Sequence, residues 1–151
     1  MTGTELRALR VRLGKTQRQF AGWLGVSLRA VHSFEQGWRQ TPVHAERQAL
    51  FLTMLSRRPK KTAANCWTLR GCPPATRAKC PAWELKAGQF CWFINGTICR
   101  GTSQPTWKGK MEICRRCKVF RSAVGTAAAT RETTRPRPVS PHGGTKRPLA
   151  R

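Results

Sequence analysis

The chain has 151 residues, a length suited to one ordinary domain or two small ones. Its 29 lysines and arginines outnumber 6 acidic residues and give a formal net charge of +23. A surplus of this size favours a polyanionic partner, usually nucleic acid, over a surface whose charges only maintain solubility. No apolar run approaches the roughly 20 residues that span a bilayer, and no secretory leader opens the chain, so we expect no membrane contact.

Apolar residues recur at helical spacing in the first third of the chain. The first predicted helix follows Thr4, a residue type that caps helices, and the last follows Thr41, with Pro42 in the first helical position. In chain order, the predicted helices cover residues 4–13, 17–24, 28–36 and 42–56. We therefore expect a small, mainly α domain over residues 1–57. A domain of this size is only marginally stable alone, so dimerisation would stabilise it.

The second and third predicted helices form a pattern of their own over residues 16–37. Gly25 allows a turn with a backbone angle that most residues avoid, and Ser27 suits the N-cap of the next helix. Ala21 lies where the two helices would cross closely. Apolar spacing places these residues on one buried side: Phe20, Leu24, Val26, Val31 and Phe34. The pattern is that of a helix-turn-helix, whose second helix enters the major groove of DNA.

Residues 4–56, and above all the stretch LGKTQRQFAGWLGVSLRAVHSFEQG, resemble the Cro/phage-repressor, or Xre-type, helix-turn-helix family. The resemblance covers about a third of the chain. It implies a five-helix, lambda-repressor-like bundle that binds double-stranded DNA, usually as a homodimer on short operators. The expected setting is the bacterial cytoplasm, in association with the nucleoid.

The same resemblance implies which side chains contact DNA. Gln17 would bind a phosphate, and Glu35 would pair with a basic residue inside the bundle. The implied groove-facing residues are Leu28, Arg29, His32 and Ser33, and those near the DNA backbone are Gln36, Trp38 and Arg39. Their chemistry agrees, since Arg29 can pair with guanine, His32 can donate to a base acceptor and Leu28 can touch a thymine methyl. A phosphate contact or a solvated face is the alternative for Arg29, and a solvent-facing position for His32.

All seven cysteines lie in one segment that has few aliphatic residues. They are Cys66, Cys72, Cys80, Cys91, Cys99, Cys114 and Cys117. A segment with so few aliphatic residues forms only a small apolar core and needs additional stabilisation. Because thiols stay reduced in the cytoplasm, we expect the cysteines to bind zinc or an iron–sulfur cluster. The strongest local motif is the C-x-x-C turn from Cys114 to Cys117, which can present two thiolates to one ion. Not all seven need be ligands, and a metal-free dithiol switch is the alternative.

Two Cys-Trp dipeptides characterise this segment, at Cys66-Trp67 and Cys91-Trp92. Together with Cys80-Pro81-Ala82-Trp83, the Gly96–Cys99 stretch and the C-x-x-C turn, they resemble the two-CW domain, a cysteine-rich unit of bacterial regulatory and sensory proteins. The resemblance covers about 55 residues. The resemblance implies no particular chemistry for these cysteines.

The sequence as a whole predicts four segments. They are a helix-turn-helix DNA-binding domain (1–57), a basic linker (58–64), an irregular cysteine-rich module (65–121) and a disordered basic tail (122–151). We expect a sequence-specific transcriptional regulator whose cysteine-rich module binds metal or senses redox state. The alternative is a metal-binding adaptor for protein or RNA partners. No enzyme is expected, because the acidic residues are scattered and no nucleophile, base or small-molecule substrate site emerges.

Overall fold

The computed structural model describes residues 1–57 and 64–125 of the chain. Most of the predicted linker (58–64) and of the predicted tail (122–151) lies outside the described residues. The first four helices are α1 (Gly3–Arg12), α2 (Gln17–Leu24), α3 (Leu28–Glu35) and α4 (Val43–Ser56). They match the predicted spans to within about one residue, which is the usual uncertainty of helix ends.

Side-chain caps explain where the first three helices begin. Thr2 and Glu5 cap α1 reciprocally: the Thr2 hydroxyl accepts from the Glu5 N–H at 3.2 Å, and the Glu5 carboxylate accepts from the Thr2 N–H at 2.7 Å. The prediction of Thr4 as this cap is wrong, because Thr4 lies inside the helix and has no acid three residues later. Thr16 and Ser27 cap α2 and α3 as predicted.

The start of α4 also differs from the prediction. The helix begins at Val43, so Pro42 takes the cap position instead of the first helical position. Thr41 therefore does not cap α4, which has no side-chain cap hydrogen bond. Proline still suits this place, because a residue before the helix donates no N–H to it.

Two glycines let the bundle close. Gly25 ends α2 in the left-handed conformation, with φ 66°, and so forms the corner of the helix-turn-helix. Gly3 lies so close to the end of α3 that a Cβ atom there would be 2.3 Å from the carbonyl oxygen of Phe34. The buried apolar residues of the bundle are Leu6, Leu9, Phe20, Ala21, Leu24, Val31, Phe34, Ala45, Ala49, Leu50 and Met54. Of the predicted core, Val26 is only partly buried.

Residues 64–125 fold as short elements. They are α5 (Cys66–Leu69), α6 (Pro74–Arg77), α7 (Pro81–Glu84), a 3-10 helix (Cys91–Phe93), β1 (Thr97–Cys99), β2 (Thr102–Gln104), α8 (Trp107–Cys114) and α9 (Lys118–Val124). Strands β1 and β2 pair antiparallel, with Ile98 opposite Ser103. Helices α5 to α7 are single turns, whose conformation depends on their surroundings. None of the described helices is long and apolar enough to cross a bilayer.

The bundle and the cysteine-rich region share one apolar core. Helix α9 packs against α4, and Trp92 and Phe120 belong to the same buried cluster as Leu6 and Leu50. The expectation of five helices in the bundle is corrected accordingly. Residues 1–57 contain four helices, and α9 supplies another packing helix from far along the chain. Helix α9 also continues into the segment predicted as the start of the tail.

Polar contacts also connect the bundle with the cysteine-rich region, at the contact of α8 and α9 with α1 and α4 that is here called the junction. Arg115 donates to Glu5 at 2.5 Å and to Glu46 at 3.1 Å, and so connects the end of α8 with both α1 and α4. Arg47 of α4 donates to the Phe93 carbonyl oxygen at 2.7 Å. Since these partners lie 46 to 110 residues apart in sequence, the two regions form a joint packing unit.

Candidate DNA interface and thiol cluster

Helix α3 has one buried face and one exposed face. Val31 and Phe34 are buried in the core, whereas Leu28 is 41% exposed and Arg29 is exposed beside it. Within the described residues, the Arg29 side chain has no hydrogen-bond or ion-pair partner. His32 and Ser33 follow on the same helix and are half-buried. The residues implied as groove-facing therefore lie on or beside the solvent-facing side of α3.

The loop after α3 folds back against that helix. The Ser33 carbonyl oxygen accepts from the backbone N–H groups of Trp38 at 3.0 Å and Arg39 at 3.3 Å. The Trp38 ring meets His32 edge-on, with ring centroids 5.2 Å apart, and is itself 72% exposed. Gln36, at the C-terminal cap of α3, is exposed as well. The structure thus brings the implied backbone-contacting residues next to the exposed face of α3.

Gln17 is engaged inside the protein. Its side-chain amide donates to the Glu35 carboxylate at 2.8 Å, and Arg10 donates to the same carboxylate at 2.6 and 2.9 Å. Burial raises the pKa of Glu35, but the hydrogen bonds from Arg10 and Gln17 outweigh it and hold that pKa below its ordinary value. The predicted pairing of Glu35 with a basic residue is confirmed. The phosphate contact of Gln17 stays a prediction.

A polar cavity of about 420 Å³ lies beside the exposed face of α3. It is lined by Arg7, Arg10, Gln17, His32, Glu35 and Gln36. Arg7 lies on α1, outside the predicted helix-turn-helix, and is not among the predicted DNA-contacting residues. Its position next to Gln17 depends on how α1 packs against α2 and α3, so no local pattern could have identified it. Arg7 adds an exposed positive charge at the edge of the candidate interface.

The seven cysteines are free thiols in two degrees of burial. Cys80, Cys91 and Cys114 are buried, and Cys66, Cys72, Cys99 and Cys117 are half-buried. Among the described residues, which include all seven, no group of three or more cysteine, histidine, aspartate or glutamate side chains is arranged to hold a metal ion. Zinc or an iron–sulfur cluster as cofactor stays a prediction.

Part of the cysteine set lines a cavity of about 310 Å³, here called the thiol cavity. Its sulfur-bearing walls are Cys66, Cys72, Cys80 and Cys99, and its rim carries Arg70, Arg77 and Arg100. The Cys80 sulfur accepts from the Ile98 backbone N–H at 3.4 Å, which attaches α7 to the hairpin. The C-x-x-C cysteines do not line this cavity, although the sequence gave them the strongest metal-binding pattern.

The thiols differ in acidity because their surroundings differ. A hydrogen bond from the Cys91 thiol lowers the pKa of Cys66 to about 7, against the effect of burial, and the Trp67 N–H and Lys110 act in the same direction. Donating that hydrogen bond, together with burial, raises the pKa of Cys91. Burial raises the pKa of Cys114 to about 11. The surroundings of Cys66 thus favour its thiolate form, whereas those of Cys91 and Cys114 favour the neutral thiol.

Lys110 is a site residue that sequence reasoning missed. It is fully buried in α8 and donates from Nζ to the Thr97 hydroxyl. Its charge lowers the pKa values of Cys66, Cys91 and Cys114 or opposes their increase. Helical spacing is the signal that could have found it, because Lys110 lies three residues after Trp107 on the buried face of α8, whereas Lys108 lies off that face and is exposed.

Residues 3–56 match the family model of a helix-turn-helix domain. The match covers α1 to α4 and ends before the cysteine-rich region. No curated protein and no solved structure matches the chain. The narrower Xre-type assignment and the two-CW resemblance thus stay predictions. The bounds of the match coincide with the four-helix bundle, so residues 3–56 are similar to a helix-turn-helix domain.

Proposed function

We propose that the protein is a sequence-specific transcriptional regulator that inserts α3 into the DNA major groove. The observation that carries this proposal is the exposed N-terminal half of α3. Arg29 is free of partners among the described residues there, within a chain of net charge +23. A guanidinium held on a rigid helix can form two hydrogen bonds to guanine.

The neighbouring side chains receive complementary roles. Leu28 contacts a thymine methyl, and His32 and Ser33 bond base edges or nearby phosphates. Gln36, Trp38 and Arg39 contact the DNA backbone beyond α3 and fix its register without choosing sequence. Gln17 contacts a phosphate either after its amide has left the Glu35 carboxylate or while the amide donates to both groups.

Assembly on DNA is the second part of the proposal. A helix-turn-helix that binds a two-fold operator presents two recognition helices about 34 Å apart, one in each of two successive major grooves. We therefore infer that a homodimer acts at the bacterial nucleoid. Its test is the mass of the protein–DNA complex in solution: two chains per operator support the proposal, and one chain overturns it.

We further propose that the cysteine-rich region makes DNA binding responsive to the state of its thiols. Support comes from the junction, where α9 packs against α4 and Arg115 bonds Glu5 and Glu46. A change in this region therefore reaches the bundle through packed side chains. The responding state is either a bound metal or the redox state of the thiols.

The test of base recognition compares two arginines. Operators are selected from random duplexes, and the affinities of Arg29→Ala and Arg39→Ala are measured on the selected site and on its single-base variants. Arg29→Ala should lose discrimination at one base pair by about 5- to 150-fold, equivalent to roughly 1–3 kcal/mol. Arg39→Ala should weaken all sites alike. If neither variant changes DNA binding, the proposed docking is wrong.

A further inference from the structure

The thiol cavity combines aromatic walls with a positively charged rim. Trp67 and Trp83 form part of the walls, with the rings edge to face and the ring centroids 4.9 Å apart. The rim carries three guanidinium groups, and no carboxylate side chain lines the cavity. A volume of about 310 Å³ lies at the small end of the range for ligand pockets. The cavity therefore suits a small ligand that has an apolar body and a negative charge.

The rim arginines Arg70, Arg77 and Arg100 have no acidic partner. Within the described residues, none of their guanidinium groups forms an ion pair or a hydrogen bond. Arg77 is half-buried and stacks on Trp83, with its guanidinium carbon 4.4 Å from the ring centroid. Like charges around one opening repel each other, and an anion bound among them removes that repulsion. Arginine is the side chain best shaped for a carboxylate, which it binds through two parallel hydrogen bonds.

The turn that carries Arg100 is an independent observation. Arg100 and Gly101 connect β1 to β2, and both have positive φ angles, of 55° and 79°. Glycine, asparagine or aspartate normally occupies the first position of such a two-residue turn, because larger side chains are disfavoured there. Residues held in this conformation concentrate at functional sites. Here the turn brings Arg100 into the lining of the thiol cavity.

A glycine fixes the position of the Trp67 wall. A Cβ atom at Gly88 would lie 2.7 Å from the Trp67 ring, so only glycine leaves room for the ring in this place. The Cys66 backbone N–H donates to the Gly88 carbonyl oxygen at 3.1 Å and connects α5 with this glycine. The wall is therefore in position before a ligand arrives, which lowers the entropy cost of binding.

We propose that the thiol cavity binds a small aromatic carboxylate of one or two rings, with the ring against Trp67 and Trp83 and the carboxylate on Arg77 and Arg100. The indole walls suit an aromatic body, because rings attract each other in edge-to-face and offset arrangements. The sulfur atoms beside them are polarizable and favour contact with ring edges. The guanidinium groups suit a carboxylate, because hydrogen bonds between two charged groups are stronger than those between neutral groups. Binding is non-covalent and reversible.

The cavity adjoins the helix that contacts the bundle. Cys80 of the cavity wall lies in one buried cluster with Val119 of α9, and Ile98 of the wall packs against that cluster. Helix α9 in turn packs against α4. A ligand in the cavity therefore contacts side chains that pack on α9, and we expect its binding to change the affinity for the operator. This consequence rests on the proposed DNA-binding function, whereas the ligand site does not.

Binding is tested with benzoate on the reduced, full-length protein by nuclear magnetic resonance of the indole N–H groups. The signals of Trp67 and Trp83, assigned from Trp67→Phe and Trp83→Phe, should shift along one saturable curve. The signals of the exposed Trp23 and Trp38 in the bundle should stay in place. Absence of a saturable shift at Trp67 and Trp83, or equal shifts at Trp23 and Trp38, overturns the proposal. A metal ion that excludes benzoate from the cavity of the purified protein overturns it as well.

Two relatives of benzoate separate the contributions of charge and ring. Benzyl alcohol keeps the ring without the charge and should bind about ten-fold more weakly or worse, the usual cost of losing a hydrogen bond to a charged group. Cyclohexanecarboxylate keeps the charge on a ring that is not aromatic, and should bind at least about two-fold more weakly. If either compound binds as tightly as benzoate, the proposed ligand class is wrong.

The rim is tested by removing its arginines one at a time. Arg77→Ala and Arg100→Ala should each weaken benzoate binding by about ten-fold or more. Arg116→Ala removes the same charge at an exposed position outside the cavity, and should bind benzoate as the wild type does. Circular dichroism confirms that each variant is folded before the titration. Wild-type affinity in both Arg77→Ala and Arg100→Ala overturns the proposal.

Operator affinity separates the ligand site from its consequence. The affinity for the selected operator is measured with and without saturating benzoate, and the affinity for benzoate with and without operator. The two ratios should agree, because coupling between two binding sites is reciprocal. Equal operator affinities overturn the coupling to α4 but leave the ligand site standing. Absence of DNA binding with and without benzoate contradicts the proposed function alone.

Discussion

The four-helix bundle and the cysteine-rich region differ in what determines their local structure. Helices α1, α2 and α3 each begin at a hydroxyl side chain that caps them, and their apolar faces meet in a continuous core. Helices α5, α6 and α7 are four residues long and have no side-chain cap. The bundle is encoded by local signals, whereas the cysteine-rich region depends on contacts with other parts of the chain.

The difference explains why the two regions are joined so closely. A region whose described helices are eight residues long or shorter buries too little apolar surface to be stable alone. Its aromatic residues, notably Trp92 and Phe120, lie in the cluster that also contains the bundle core. We therefore expect the described regions to unfold together. We also expect a substitution at the junction to change the stability of both regions.

The largest effect is expected from removing the central aromatic side chain of the junction. Trp92 is fully buried, so Trp92→Ala should reduce the free energy of unfolding by about 3–5 kcal/mol. Urea unfolding is followed by circular dichroism, with Trp38→Ala as the exposed control that changes stability by less than about 0.5 kcal/mol. Two separate transitions, with the second insensitive to Trp92→Ala, would contradict the shared core.

A smaller effect is expected inside the bundle. Glu35→Gln leaves Arg10 without its carboxylate partner and should reduce stability by about 2–3 kcal/mol at pH 7. Because folding lowers the pKa of Glu35, its contribution is present above the unfolded value of about 4.3 and is lost as the pH falls through the folded value.

The pH dependence distinguishes this ion pair from a packing effect. The stability difference between wild type and Glu35→Gln should shrink as the solution is acidified. Glu112→Gln, at an exposed position in α8, is the matched control and should show no such dependence. A difference that is constant with pH would show that the charge of Glu35 is not what stabilises the bundle.

The smallest of the three effects concerns the polar junction. Arg115→Ala removes the hydrogen bonds to Glu5 and Glu46 and should destabilise the protein by about 1–2 kcal/mol. The loss is moderate because Glu5 is partly exposed and because Glu46 keeps its ion pair with the N-terminal ammonium at 3.1 Å. The exposed neighbour Arg116→Ala should have no measurable effect. Equal effects of both variants would remove Arg115 from the junction.

The same contrast decides how much the sequence could predict. The helix-turn-helix was predictable because apolar spacing and the caps Thr16 and Ser27 are local signals. The wrong cap of α1 had a local signal that was overlooked, since Thr2 has Glu5 three residues later and Thr4 has no such acid. Val26 is half-exposed because it lies in the corner between helices, where periodicity does not apply.

The candidate DNA interface and the thiol cavity also differ in how far the sequence could predict them. The exposure of Leu28 and Arg29 on α3 follows from helical periodicity, although periodicity says nothing about the bases they contact. The assembly of Cys66, Cys72, Cys80 and Cys99 around one cavity depends on packing between elements distant in sequence. Cysteine spacing alone therefore favoured Cys114 and Cys117, whereas the acidic thiol is Cys66.

The central claim, that α3 contacts bases in duplex DNA, is tested most directly by a salt titration of the full-length protein. Affinities are measured for the selected operator, a scrambled duplex and a single-stranded RNA of the operator sequence. The account predicts that rising salt weakens all three, while the operator stays tighter than the scrambled duplex by about a thousand-fold or more. Equal affinity for the two duplexes and the RNA at every salt concentration would contradict it.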